Sequence, residues 1–313
     1  MFTASALCAL MIAGDAHQPG TAVIAEMITQ KLKMSTTYRV RFRVESRQYV
    51  GQHVGRSGHT VSIWRAGEKL RIDTTESVSD TPPPFPGMVR PGGDGSRQIS
   101  CYNCERPGYY LHTSVAPGNP KVTQIVAFDK TPAFATGFPE YDIDWRLLGM
   151  TNNVLRVYRL ADVEGGCKNY LTNPKMVLSQ AVRNLRPCLV SALTTPTSQS
   201  ETHFSSGDGY NPIYRLWVYD KDQGRCKRAT EIDWHKTPGN HLYPSRIKLS
   251  DMVGDQLESN ETVTVIDADF HNPIDPVMFT VAGMNLNDGQ LIAYPDVPAA
   301  EQPIWRNGGL VPR

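Results

Sequence analysis

Between Tyr38 and Glu45 the chain alternates without a break. Tyr38, Val40, Phe42 and Val44 fall on one side of an extended strand, and Arg39, Arg41, Arg43 and Glu45 fall on the other. Successive side chains on a strand point in opposite directions, so this pattern predicts a strand with one dry face and one wet face. The same logic predicts a second strand at Thr60 to Arg65 and a third at Lys69 to Thr74, joined by a tight turn at Ala66-Gly67-Glu68. In the third strand Leu70 and Ile72 go inward, while Lys69, Arg71 and Asp73 go outward to water. Further strands are predicted near Arg97 to Tyr102, Tyr109 to Ser114 and Val122 to Phe128. A second clear hairpin joins Ile213 to Tyr219 with the Cys226 strand through Asp220-Lys221-Asp222-Gln223-Gly224, and Tyr243 to Leu249 and Glu261 to Phe270 follow as strands.

Helical spacing is confined to two places. Val23, Ile24, Met27, Ile28 and Leu32 predict an amphipathic helix over Thr21 to Lys33 with Thr21 as its cap, and Met176 to Leu185 reads as a helix ended by Pro187. Pro82 to Gly95, with its Pro-Pro-Pro and Gly-Gly, cannot form a ladder and is expected as an exposed loop. Hairpins with little helix between them argue for antiparallel pairing, since parallel strands need crossovers of a dozen or more residues. The fold class is therefore mainly β (α+β), an antiparallel curved sheet or half-open barrel wrapping the N-terminal helix.

Composition narrows the function classes. The chain has 313 residues, with Lys+Arg 32 against Asp+Glu 31, so no global basic field draws it to nucleic acid. A hydrophobic fraction of 40% with 25 Gly and 23 Pro describes a folded protein with many turns. Residues 1–16 form an apolar segment closing on small residues at Gly14 and Ala16. That is too short to span a bilayer and matches a secretory signal, although no Lys or Arg precedes the apolar run; the alternative is a buried N-terminal helix. No other segment is long and apolar enough to be transmembrane. The expected organisation is a signal at 1–16, one β domain over 21–270 with an irregular insertion at about 130–200, and a Pro-rich surface tail over 271–313. The last four residues, Leu310-Val311-Pro312-Arg313, match the remnant of a cleaved tag or a native tail.

Export makes the cysteines informative. Apart from Cys8 in the leader there are Cys101, Cys104, Cys167, Cys188 and Cys226, and in an oxidising compartment such residues tend to pair. Cys226 lies in phase with Ile232 and is expected as the buried single thiol, with Cys101–Cys104 and Cys167–Cys188 as the bridges.

The chemistry-bearing clusters are weak. Cys101-Tyr102-Asn103-Cys104 has redox or zinc spacing, but it sits in strand-like sequence with no second close pair, which favours a structural bridge. Asp267-Ala268-Asp269 puts two carboxylates on one strand face about 7 Å apart, a spacing usable for a metal or for acid/base work, but a polar outer face accounts for it better. Asp220 to Gly224 lacks the full set of calcium-loop oxygens. Gly55-Arg56-Ser57-Gly58-His59 is not a nucleophile elbow, and the eight histidines show no His-Glu-x-x-His arrangement. No catalytic residue, metal or cofactor is assigned.

The order of helix, outward-charged first strand, hairpins, irregular middle and further hairpins resembles the lipoprotein-carrier (LolA/LolB-like) superfamily. A closer likeness is to uncharacterised exported proteins of planctomycete-type bacteria with this fold. It is carried by Trp145-Arg146-Leu147-Leu148-Gly149, Leu216-Trp217-Val218-Tyr219-Asp220, Tyr243-Pro244-Ser245-Arg246-Ile247 and Asn272-Pro273-Ile274-Asp275-Pro276 with Phe279-Thr280-Val281. The resemblance implies a half-open barrel around a helix and a concave apolar surface that holds a lipid or lipoprotein acyl chain. Its candidate lining is Val40, Phe42, Val44, Leu70, Ile72, Leu216, Ile247 and Leu249. Three function classes follow. The first is a non-catalytic periplasmic or cell-surface binder of a hydrophobic ligand. The second is a structural module of the envelope with a filled core and a protein partner. The third is a cofactor-free enzyme on the same fold.

Overall fold

The computed structural model describes residues 37–67, 69–79, 97–102, 109–116, 119–120, 123–127, 173, 175–221, 224–237, 242–294 and 297–313. The expected leader, the Thr21–Lys33 helix, the Pro82–Gly95 loop, the Trp145–Gly149 turn, Cys104 and Cys167 lie outside the described residues.

The strand pattern from Tyr38 onward sets the centre of the molecule. β1 (Thr37–Val50), β2 (His53–Ala66) and β3 (Lys69–Ser79) form an antiparallel meander in which Val40 faces Ile63 and Ile63 faces Ile72. β4 (Arg97–Tyr102), β5 (Tyr109–Ala116), the two-residue β6 (Asn119–Pro120) and β7 (Thr123–Ala127) extend it on one side. A second meander runs through β8 (Met176–Arg183), β9 (Arg186–Thr194), β10 (Ser198–Ser205), β11 (Asn211–Lys221), β12 (Gly224–Lys236), β13 (Leu242–Val253) and β14 (Gln256–Asp269). The two meanders become one surface because β14 pairs antiparallel with β1, setting Val44 against Val263. With β15 (Ile292–Ala293) added parallel to β7, the result is one 15-stranded sheet. It is curved and open, since among the described residues no pairing joins its ends at β15 and β8.

Bulges keep the apolar face in phase along these long strands. Arg41 pairs with Asp267 and Phe42 with Val265, so Ile266 is the extra residue; this explains an isoleucine that is 49% exposed.

Two expectations need correcting. Met176 to Leu185 is not a helix: β8 and β9 form a hairpin whose turn residues, Asn184 and Leu185, hold φ of 50° and 63°. Pro187, taken as a helix terminator, instead sits opposite Val182 near the start of β9. Tertiary pairing overrode the local helical spacing, and the end of the supposed irregular insertion is regular sheet.

The second correction concerns the segment after Asn272, which is not merely a surface wrap. Two 3-10 turns, Pro276–Phe279 and Ala282–Met284, bring Phe279, Val281, Met284 and Leu286 against Ile99, Cys101, Trp64 and Ala66 on the outer face of the first meander. Ile292 and Trp305 complete this second core, and the hairpin of β16 (Ile304–Arg306) and β17 (Gly309–Val311) closes the segment. Arg71 and Asp73 point outward as the alternation requires, yet they are buried beneath this cover.

Candidate functional site

Register fixes which residues share the inner face, because directly opposed residues on neighbouring strands project to the same side. Val40, Phe42 and Val44 of β1 stand beside Ile63 and Val61 of β2 on one flank and Ala268, Val265 and Val263 of β14 on the other. The row through Val44 and Val263 continues to Ile247 of β13 and Ile232 of β12. Leu70 and Ile72 carry the surface onto β3. The outcome is one continuous aliphatic and aromatic cluster across six adjacent strands, closed at one corner by Tyr38, Phe270 and Tyr243. Among the described residues the cluster draws only on the sheet and the residue that follows β14.

Six residues of the expected lining, Val40, Phe42, Val44, Leu70, Ile72 and Ile247, come together in this cluster, and Leu249 packs against it half-buried. Val40, Phe42 and Val44 are 0% exposed. Leu216 is not among them. It opposes Ala229, whereas the neighbouring Arg215 opposes Thr230 and Thr230 opposes Leu249, so Leu216 projects from the other side of the sheet. Sequence reasoning passed over Tyr38, Val61, Ile63, Ile232 and Val263 as lining, although their alternation with polar neighbours was the available signal.

Toward the hairpin end of the second meander the same face turns polar. Arg228 of β12 opposes Asp251 of β13, and the two make paired hydrogen bonds, Nε to Oδ1 at 2.6 Å and Nη2 to Oδ2 at 2.9 Å. The hydrogen bond to Asp251 raises the Arg228 pKa above its ordinary value, against the opposing effect of burial. Ser259 donates to Asp251 at 3.3 Å and Ser46 to Glu261 at 2.9 Å. Trp217, opposite Arg228, stacks on Tyr219 with ring centroids 4.3 Å apart. His59 opposes Val44 on this face, and burial lowers its pKa from 6.5 to about 4.

The remaining candidates separate. Asp267 pairs with Arg39 at 3.0 Å. Asp269 accepts from His271 N, Asn272 N and Asn272 Nδ2, bonds that pull its pKa down to about 2, so the two carboxylates anchor the outer surface and the exit of β14. Gly55 to His59 lies within β2, and Asp220 and Gly224 flank the turn between β11 and β12. Cys226 is a buried free thiol as expected, but so is Cys188, which rules out the Cys167–Cys188 bridge. Cys188 is enclosed with Val190 and Ile213 in a small satellite core, where its thiol donates to Arg186 O. Cys101 is disulfide-bonded. Among the described residues no group of three or more His, Cys, Asp and Glu stands ready to hold a metal ion, and no helix is long and apolar enough to cross a membrane.

No family model matches the chain, and no curated protein matches it. Solved structures do. A DUF1329 family protein from Desulfovibrio piger is similar at 10% identity with a TM-score of 0.46, over 87% of this chain and 100% of that one. An outer membrane lipoprotein-sorting protein domain from Vibrio parahaemolyticus is similar at 8% identity and a TM-score of 0.41, over 82% of this chain and 95% of that one. A LolA superfamily protein from Nitrosomonas europaea is similar at 11% identity and a TM-score of 0.40, over 83% of this chain and 99% of that one.

Proposed function

We propose that this protein is an exported, non-catalytic binder of an amphipathic lipid or lipoprotein acyl chain, held against the inner face of the open sheet. The observation that carries this reading is the zoning of that face. An unbroken apolar surface runs from Leu70 and Ile72 through Val40, Phe42 and Val44 to Ile247 and Leu249, and it gives way to a polar band at Arg228, Asp251, Ser259, Ser46 and Glu261. An acyl chain would lie on the first and its polar head on the second. Burying a chain methylene contributes about 0.8 kcal/mol, so contact along a few carbons suffices for useful affinity. Because the central residues are already covered, a guest enters by exchange with what covers them rather than by filling an open cavity. The Cys101 disulfide and the apolar N-terminus support a periplasmic or cell-surface location.

The complete burial of Val40, Phe42 and Val44 favours a second reading, an envelope module whose core is filled by its own side chains and whose partner is another protein. Native mass spectrometry of the purified protein, with lipid extraction and a titration of delipidated protein with a fluorescent fatty-acyl probe, separates the two. Co-purifying lipid and saturable probe binding are expected. Guest-free protein that also ignores the probe would eliminate the lipid reading and leave the filled module.

A further inference from the structure

The two ends of the 15-stranded sheet are built differently. β15, at one end, is two residues long, and brevity is a common protection against pairing with another chain. At the other end stands β8, eight residues long, which among the described residues is hydrogen-bonded on one side only, to β9. Natural edge strands are usually guarded by a charge, a proline or a bulge. From Val177 to Val182 the run Val-Leu-Ser-Gln-Ala-Val holds no charge and no proline, and its pairing with β9 has no register shift. Val177 is 62% exposed and Val182 72%. An unguarded apolar edge of this length is a template for one more strand.

The strand is complementary to itself. Leu178, Gln180 and Val182 share one face, and Val177, Ser179 and Ala181 share the other. A two-fold axis through Gln180, normal to the sheet, sets a second β8 antiparallel to the first. Leu178 then stands opposite the partner's Val182, Val182 opposite the partner's Leu178, and Gln180 opposite the partner's Gln180. A glutamine amide both donates and accepts, so the central pair satisfies itself between two apolar pairs. We propose that β8 is the docking edge for a second copy of this chain, joined in this register into one continuous sheet. The match of Leu178 with Val182 about a central Gln180 is what singles out a copy, since an uncharged edge offers nothing to select a charged partner. Backbone hydrogen bonds supply the affinity and the side-chain pairs the register. Because the axis consumes β8 of both copies, the assembly closes at two. A strip of six residues is about 20 Å long and one sheet deep, about 10 Å, well short of the about 1,200 Å² that a stable interface buries, so the dimer dissociates on dilution.

Sedimentation velocity on the full chain, from about 1 to about 100 µM, tests this. The sedimentation coefficient should rise with concentration from that of a monomer toward that of a dimer. Gln180 is exposed, so Gln180→Lys and Gln180→Glu leave the fold intact while setting like charges directly opposite each other across the axis. Each variant alone should stay monomeric at the highest concentration. An equimolar mixture of the two should regain the dimer, because lysine then faces glutamate, and loss of folding cannot mimic that recovery. The proposal is overturned by an unaltered chain that stays monomeric throughout, by either variant dimerising as before, by a mixture that stays monomeric, or by species that grow beyond two.

Discussion

Replacing Arg71 with methionine should be among the most damaging single changes to this protein that touch neither the lipid surface nor the inner core. Arg71 is 1% exposed, and its guanidinium makes four hydrogen bonds: Nε and Nη2 to the two oxygens of Asp73 at 2.8 and 2.9 Å, and Nη1 to Met278 O and Gly283 O, each at 2.8 Å. It also lies over the Trp64 ring, 5.2 Å from the centroid. Methionine preserves most of the stem but strips the partner from a buried carboxylate and from two carbonyls of the C-terminal cover. Among the described residues Asp73 keeps Arg97 as its partner. Breaking a buried pair in this way costs about 3–5 kcal/mol. With a urea slope of about 3 kcal/mol/M, the unfolding midpoint should fall by roughly 1 to 1.7 M, followed by tryptophan fluorescence. The double change Arg71→Met, Asp73→Leu should recover more than half of the loss, because what destabilises is the stranded charge and not the missing attraction. A single-variant shift under about 0.3 M, on the same urea scale, or a double variant worse than the single, would refute this account of how the C-terminal segment is held.

Three further expectations rest on independent features. At Gly283 an added Cβ would lie 2.1 Å from Val277 O, a backbone atom, so Gly283→Ala should loosen the cover and make the 272–294 segment readily cut in limited proteolysis; unchanged protease resistance would contradict this. Leu185 is 96% exposed at φ 63°, a conformation costing an L-residue about 1–2 kcal/mol, so Leu185→Gly should stabilise the β8–β9 turn by about 0.5–1 kcal/mol after the glycine entropy penalty, and a lower melting temperature would argue against it. Burial holds the folded-state pKa of His59 at about 4 against 6.5. The unfolded chain therefore takes up the proton first as pH falls, and the stability present above pH 6.5 declines toward pH 4, by at most about 3 kcal/mol. His59→Gln should flatten that slope in pH-dependent urea titrations, and an identical slope would place its origin elsewhere.

Alternation along a strand is a local property, so the first meander was legible wherever it was strict. Arg97 to Tyr102 was predicted with the bounds that β4 has, and the turn expected at Gly67 fell where β2 and β3 close their hairpin. β8 to β10 were missed because Met176 to Leu185 also fits a helical repeat, and a hairpin turn with leucine at positive φ carries no Gly or Asn-Gly signal. Within the lining, Leu216 was misplaced for a related reason. Apolar residues alternate with apolar residues in Leu216-Trp217-Val218-Tyr219, so no pattern says which face is inner; only the register of Arg215 against Thr230 does.

What the sequence determined by itself is the presence of one-side-buried antiparallel strands and the inward phase of Val40, Phe42, Val44, Leu70 and Ile72, since a period of two is set by backbone geometry alone. Everything that depends on residues far apart in the chain was left to long-range pairing. The β1–β14 pairing joins two meanders into one sheet, and the C-terminal segment turns the outward Arg71 and Asp73 from solvated charges into a buried clasp. Alternation says to which side a charge points, but whether that side meets water is fixed by what folds over it.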